Sequence, residues 1–213
     1  MSKIFNLQFS IFNRINSFWR KPQVVIVTSE GRKTTNEAVN NTLKRYFKIG
    51  KEILIFETDL KSSQELEKLK SLIKKSYLPV IIVTNTSEIS KDSIFFRGNQ
   101  DKIFLARELV KNLPANGYLI LNADDESLRQ LENDCLGKIL TFGFSERADF
   151  IASDLKINDE TNFKINYKGN SVPLWLERSD GKEKVYAALA AAAVGTVNNL
   201  NLVEISQSFK KPA

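Results

Sequence analysis

The sequence predicts an α/β fold: a doubly wound, mostly parallel sheet with a small antiparallel sheet beside it. Two observations carry this. Apolar runs of four or five residues, at 24–28, 53–56, 80–83, 118–121 and 139–142, are separated by stretches of helical period. That alternation builds a parallel sheet buried on both faces. Beyond about residue 143 the pattern changes to short segments that alternate apolar and polar residues, as half-buried antiparallel strands do.

Each element has a local reason. After the first run, 34–48 reads as a helix with Val39, Leu43 and Tyr46/Phe47 inward, closed by Gly50. Ser62 and Glu65 have capping-box spacing before a helix carrying Leu66, Leu69, Leu72 and Ile73. A helix over 100–112 turns Phe104, Leu105, Leu109 and Val110 inward, and a short one over 124–132 has Asp124 as its N-cap. In the later part, Phe163, Ile165 and Tyr167 alternate with polar residues. A Gly169-Asn170 turn then leads to Val172, Leu174 and Leu176, a hairpin. "KVYAALAAAAVGTV" is apolar on nearly every side and so forms a buried helix, and "NLVEISQSFKK" is a last short one.

Residues 1–21 stand apart. Ile4, Leu7, Ile11, Phe12, Ile15, Phe18 and Trp19 recur at helical spacing, with Lys3, Arg14, Arg20 and Lys21 and no acid before Glu30. A cationic amphipathic helix of this kind either packs on its own domain or lies on an anionic membrane surface. Pro22 ends it.

Composition removes several chemistries. The chain has 213 residues, 42% hydrophobic and 26% charged, within the range of globular proteins. Histidine is absent, which excludes Ser-His-Asp and Cys-His mechanisms and disfavours zinc. The single cysteine, Cys135, allows no internal disulfide and fits a reducing cytoplasm. The net charge of +6 is mild, and no stripe of Lys/Arg interleaved with aromatics suggests nucleic acid as a partner.

The chemistry-bearing stretch is "VVIVTSEGRKTT". A strand, a tight turn and a helix start aim backbone N–H groups and the positive end of the helix dipole at one point, which suits a polyphosphate. The candidate nucleotide-binding residues are Thr28, Ser29, Glu30, Gly31, Arg32, Lys33, Thr34 and Thr35. Lys33 would neutralise the β/γ-phosphates and Thr34 would offer its hydroxyl to Mg²⁺. Only Gly31 remains of the glycines such a loop needs, so "SEGRKTT" alone is equally an ordinary strand-to-helix turn with a solvated lysine. Glu57, just past the second apolar run, lies at the carboxyl edge where open α/β sheets bind ligands, and it could hold the metal that Thr34 touches. "LILNADDESL" puts Asn122, Asp124 and Asp125 on the same edge. Asn122 could read a base or hold the loop.

These motifs together resemble the central ATP-binding domain of the Mur ligase family, ATP-dependent enzymes that join amino acids or peptides to a muramyl carboxylate. Folylpolyglutamate synthases share that domain. The resemblance covers about 24–211 through "VTSEGRKTT", "FETD", "VTNTSE", "LARELVKNLPANGYLILNADDESL", "ILTFGFSERADFIASDLKI" and "GKEKVYAALAAAAVGTVNNL". In flavour it is nearest to the branch that adds D-alanyl-D-alanine to the muramyl tripeptide. It implies a P-loop-type domain over 22–213, with the parallel sheet in 22–143 and the antiparallel sheet and last helices in 144–213.

The resemblance also implies ATP and Mg²⁺ as cofactors. ATP phosphorylates a carboxylate to an acyl phosphate, which an amine attacks to give an amide. Lys33 and Glu57 become the catalytic residues, Thr34 and Glu57 the ligands of the first magnesium, and Asn122 and Asp125 part of the nucleotide pocket. Departures are many. Ser29 and Arg32 stand for loop glycines, Ser90 for a metal-binding histidine, Ala106 for a carbamylated lysine, with Lys102 one turn back. Glu183, Lys184 and Ala187 stand where the family has His and Asn on the adenine side. The resemblance therefore implies a nucleotide-binding domain with weakened or lost catalysis. The alternative is a pseudoenzyme or scaffold that acts with a protein partner supplying further domains, or at the membrane surface.

Overall fold

A computed structural model describes residues 21–60, 62–85, 97–158, 160–177 and 181–210; for 97–102 and 177 only the backbone is described. The cationic stretch 1–21 lies, but for Lys21, outside the described residues, as does Ser90. No described helix is long and apolar enough to cross a membrane.

The chain runs β1 (Gln23–Thr28), α1 (Arg32–Leu43), β2 (Ile53–Thr58), α2 (Ser63–Lys75), β3 (Pro79–Val83), α3 (Arg97–Val110) and β4 (Tyr118–Asn122). A 3₁₀ segment (Glu126–Asp134), β5 (Lys138–Gly143), β6 (Phe150–Ile157), β7 (Glu160–Tyr167), β8 (Asn170–Glu177), α4 (Lys182–Val197) and α5 (Leu202–Ser208) follow. One eight-stranded sheet has the order β2-β1-β3-β4-β5-β6-β7-β8. It is parallel from β2 through β6 and antiparallel in β6-β7-β8. The antiparallel strands continue the main sheet through the short pair Phe142↔Phe150 and Gly143↔Ile151.

Both faces are covered, as the apolar runs require. Val25 and Val27 point into a core closed by α1, α4 and α5, while Val24 and Ile26 point into one closed by α2, α3 and the 3₁₀ segment. All four are 0% exposed. Burying such a side chain stabilises by about 1.5–3 kcal/mol relative to leaving it in water. The alanine-rich α4 is buried from Val185 to Gly195 save for Tyr186, which is half-buried. Its small side chains let it lie close along α1 and the sheet.

Several boundaries differ from the sequence pattern. α1 starts at Arg32 and stops at Leu43. The chain then turns through the exposed Lys44, Arg45 and Tyr46, the last at 39% exposure, before the half-buried Phe47. In α3 the inward stripe is Ile103, Ala106, Leu109 and Val110, so Phe104 falls off it and is 58% exposed. The 3₁₀ segment is capped by Asp125, since Asp124 is committed elsewhere. The Ser62 cap is half a box: its hydroxyl accepts from the Glu65 N–H at 3.2 Å, but the Glu65 carboxylate accepts from Thr58 Oγ1 at 2.7 Å. The β7–β8 turn centres on Lys168 and Gly169, both at positive φ (48° and 78°), because Tyr167 pairs with Asn170.

Candidate functional site: the loop between β1 and α1

Strand order places this loop. β1 sits between β2 and β3, so successive connections leave it in opposite directions and open a crevice beyond its carboxyl end. There Ser29 (φ 79°) and Gly31 (φ 73°) take left-handed conformations, which turns the chain sharply into α1. Only glycine adopts this region without strain, so Ser29 is held there by its surroundings. The holding contacts come from the end of β3. Thr84 Oγ1 donates to the Thr28 carbonyl at 3.1 Å and also contacts the Glu30 carbonyl oxygen. The Glu30 N–H donates to the Asn85 carbonyl at 2.9 Å.

Glu57 lies beside the loop because β1 and β2 pair in the register Val27↔Glu57. Arg32 reaches back to it: Nε is 3.5 Å from Glu57 Oε1 and Nη1 is 3.2 Å from Asp59 Oδ1. Nη1 also donates to the Ser29 carbonyl at 3.1 Å. The Thr34 hydroxyl turns the other way and donates to Glu183 Oε1, in the first turn of α4, at 2.5 Å. The same carboxylate arm overhangs Gly31, where a Cβ would meet Glu183 Cγ at 3.7 Å. Lys33 is exposed, whereas Thr28 and Thr35 are buried.

Residues 28–35 and Glu57 therefore lie together. Asn122, 3% exposed, joins them indirectly: its Nδ2 contacts Asn85 Oδ1, and its Oδ1 accepts from the Asp124 N–H at 3.0 Å. The amide thus braces the segment that pins Glu30. Asp125 accepts from the Ser127 N–H and hydroxyl at 3.1 and 2.6 Å. Beside Thr34 a cleft of about 750 Å³ opens, lined by Glu37, Asn41, Lys44, Lys184, Ala187 and Phe209 among others.

The sequence reading missed Asp59 and gave Asp124 a different role. Asp59 lies two residues after Glu57, the spacing that returns a side chain to the same side of an extended chain, and "FETD" held that signal. Asp124 ties three segments together. It accepts from the Phe144 and Ser145 N–H groups at 2.7 and 2.9 Å and from the Tyr186 hydroxyl at 2.9 Å, and so is no helix cap. Nothing local in the sequence reveals that.

The donor set does not fit magnesium. Mg²⁺ wants oxygen ligands in a near-octahedral array. Here the expected carboxylate faces a guanidinium, and the expected hydroxyl is spent on another carboxylate. Among the described residues no group of three or more His, Cys, Asp or Glu could hold a metal. Ala106 is buried in the core at 3% exposure, and Arg107 pairs with Asp134 at 2.9 Å.

Comparison with known proteins agrees with this architecture. The chain is similar to the UDP-N-acetylmuramate–L-alanine ligase of Hydrogenobaculum sp., 32% identical over 164 residues that cover 75% of this chain and 33% of that protein. A second ligase of that name, from Hydrogenovibrio crunogenus, is 27% identical over 202 residues, 87% of this chain and 43% of its own length. The chain thus spans well under half of these curated relatives. Among solved structures, the D-alanyl-D-alanyl ligase of Acinetobacter baumannii superposes with a TM-score of 0.77 at 16% identity, over 99% of this chain and 49% of that one. The MurF ligase of Thermotoga maritima in complex with ADP gives 0.74 at 16% identity, over 100% and 54%. The model of the Mur ligase middle domain matches residues 7–195, and the chain belongs to that family.

Proposed function

We propose that this chain is a nucleotide-binding domain of the type used by ATP-dependent, amide-forming ligases of cell-wall peptide synthesis, acting in the cytoplasm with weakened or lost catalysis. The observation that supports it is the turn at Ser29 and Gly31, which opens α1 at the switch point of the sheet. N–H groups and the helix dipole meet there, and exposed Lys33 stands at the same place. Phosphates of ATP or ADP sit on residues 28–35, with Lys33 offsetting their charge. The cleft beside Thr34 is the nearest room for the nucleoside.

The same geometry supports the reading of weak turnover. A divalent ion would polarise the transferring phosphoryl group and stabilise its charge. Glu57 and Thr34, the residues the family resemblance assigns to that ion, are each engaged by a side chain of this chain. The same engagement favours a second reading, a non-catalytic nucleotide-binding scaffold that works with a protein partner.

Thermal unfolding with and without ADP tests the shared core of both readings. Saturating ADP raises Tm as a ligand of the native state must. Lys33→Ala abolishes the shift and leaves the free protein's Tm nearly unchanged, since an exposed side chain contributes within about 0.5 kcal/mol. If no nucleotide moves Tm, the loop does not bind one. Sustained ADP release from ATP in the presence of a carboxylate and an amine would remove the scaffold reading.

A further inference from the structure

Arg32 contacts Glu57, the carboxylate that the family resemblance assigns to a metal ion. Its contacts to Glu57, Asp59 and the Ser29 carbonyl, at 3.5, 3.2 and 3.1 Å, fix the guanidinium between the loop and the end of β2. The pair with Glu57 is partly sheltered, with the side chains 22% and 30% exposed. Arginine cannot lose its proton to make way for a metal, and its planar fork holds both carboxylates at once.

Charge points the same way. A metal–nucleotide complex arriving here would set the metal's two positive charges against the guanidinium held by Glu57 and Asp59. Displacing Arg32 would strand it without its partners. The bare anion brings no second cation against Arg32, although it meets the Glu183 carboxylate. It must only take the Thr34 hydroxyl from Glu183, whose carboxylate holds the anion's place in the loop. Resting on the reading of the loop as a nucleotide site, we propose that it takes its phosphate ligand as the metal-free anion, with Arg32 in place of the divalent ion.

Titration calorimetry of ADP into the full chain, once in EDTA and once in excess MgCl₂, tests this. The wild type binds in EDTA at least as tightly as in magnesium, within about twofold. Arg32→Ala, which takes the guanidinium away from Glu57 and Asp59 and keeps helix propensity, reverses the preference to about tenfold or more in favour of magnesium. Its circular dichroism and Tm establish that the variant is folded. Wild-type binding that requires magnesium would overturn the proposal and leave the nucleotide reading intact. The absence of ADP binding in either buffer would overturn both. A folded Arg32→Ala protein that still ignores magnesium would remove Arg32 from the assignment and with it the proposal.

Discussion

The Thr34 hydroxyl and the Glu183 carboxylate, 149 positions apart in the chain, meet at 2.5 Å across the mouth of the loop. The bond joins the first turn of α1 to the first turn of α4, and it puts a negative charge where a phosphate would sit. The helix dipole that would attract a phosphate therefore already attracts an anion from within the chain. A carboxylate in that position competes with any ligand of the same sign.

Glu183→Gln tests the competition. The amide oxygen can still accept from Thr34, so the joint between helices persists, while the charge is gone. ADP affinity should rise about three- to tenfold, in line with the extra strength of hydrogen bonds to ionised groups. Calorimetry on the two proteins decides it, and unchanged or weaker binding would mean that Glu183 is only a brace.

The sheet was legible because apolar runs and amphipathic stretches alternate strictly up to residue 143, and burial on both faces demands that pattern. The loop residues were legible because strand, turn and helix start are consecutive in sequence. What the sequence could not disclose is pairing at a distance. That Arg32 faces Glu57 depends on the β1–β2 register, and that Glu183 reaches Thr34 depends on how α4 packs along α1. Boundaries were lost where local signals compete. Asp124 and Asp125 have equal capping propensity, and only the tertiary demand of Phe144, Ser145 and Tyr186 on Asp124 passes the cap to its neighbour.

The Asp124 clip predicts a coupled loss. Asp124→Ala strips an ionised acceptor from two backbone N–H groups and a tyrosine hydroxyl. Because the site is exposed and water partly replaces the carboxylate, the cost should be about 1–2 kcal/mol. Gly143→Ala should act in the same direction, because a Cβ there would meet the Asp124 carboxyl atoms at 2.8 Å and push them out of position. The double variant should cost little more than the larger single one, as residues of one network do. Urea unfolding of the four proteins gives the cycle, and strict additivity would dissolve the link.

Gly137 marks a second close approach. A Cβ there would stand 2.7 Å from the Gly117 carbonyl oxygen and 2.9 Å from Leu113 Cδ2. That carbonyl cannot easily retreat, because it accepts from the Lys138 N–H at 2.9 Å and so sets the start of the β4–β5 ladder. Gly137→Ala should therefore destabilise by about 1–3 kcal/mol, the ordinary cost of overpacking, although alanine usually gains from a smaller unfolded-state entropy. A variant as stable as the wild type in urea would contradict the clash.

Cys135 offers a test of burial by pH. Partial burial pushes its thiol up from the ordinary value, and a backbone hydrogen bond from Gly137 only partly opposes this. The folded state thus favours the neutral thiol more than the unfolded chain does. A group raised on folding contributes its stability below its unfolded pKa and loses it as pH rises through the folded one. Two results follow. The native thiol should react with a disulfide reagent more slowly at pH 8 than the urea-unfolded chain does, since the thiolate is the nucleophile. The stability difference between wild type and Cys135→Ser should be flat at neutral pH and fall in the alkaline range, a comparison in which the raised Tyr77 hydroxyl, common to both proteins, cancels. A native thiol as reactive as the unfolded one would place Cys135 in open solvent, against its half-buried position behind the 3₁₀ segment.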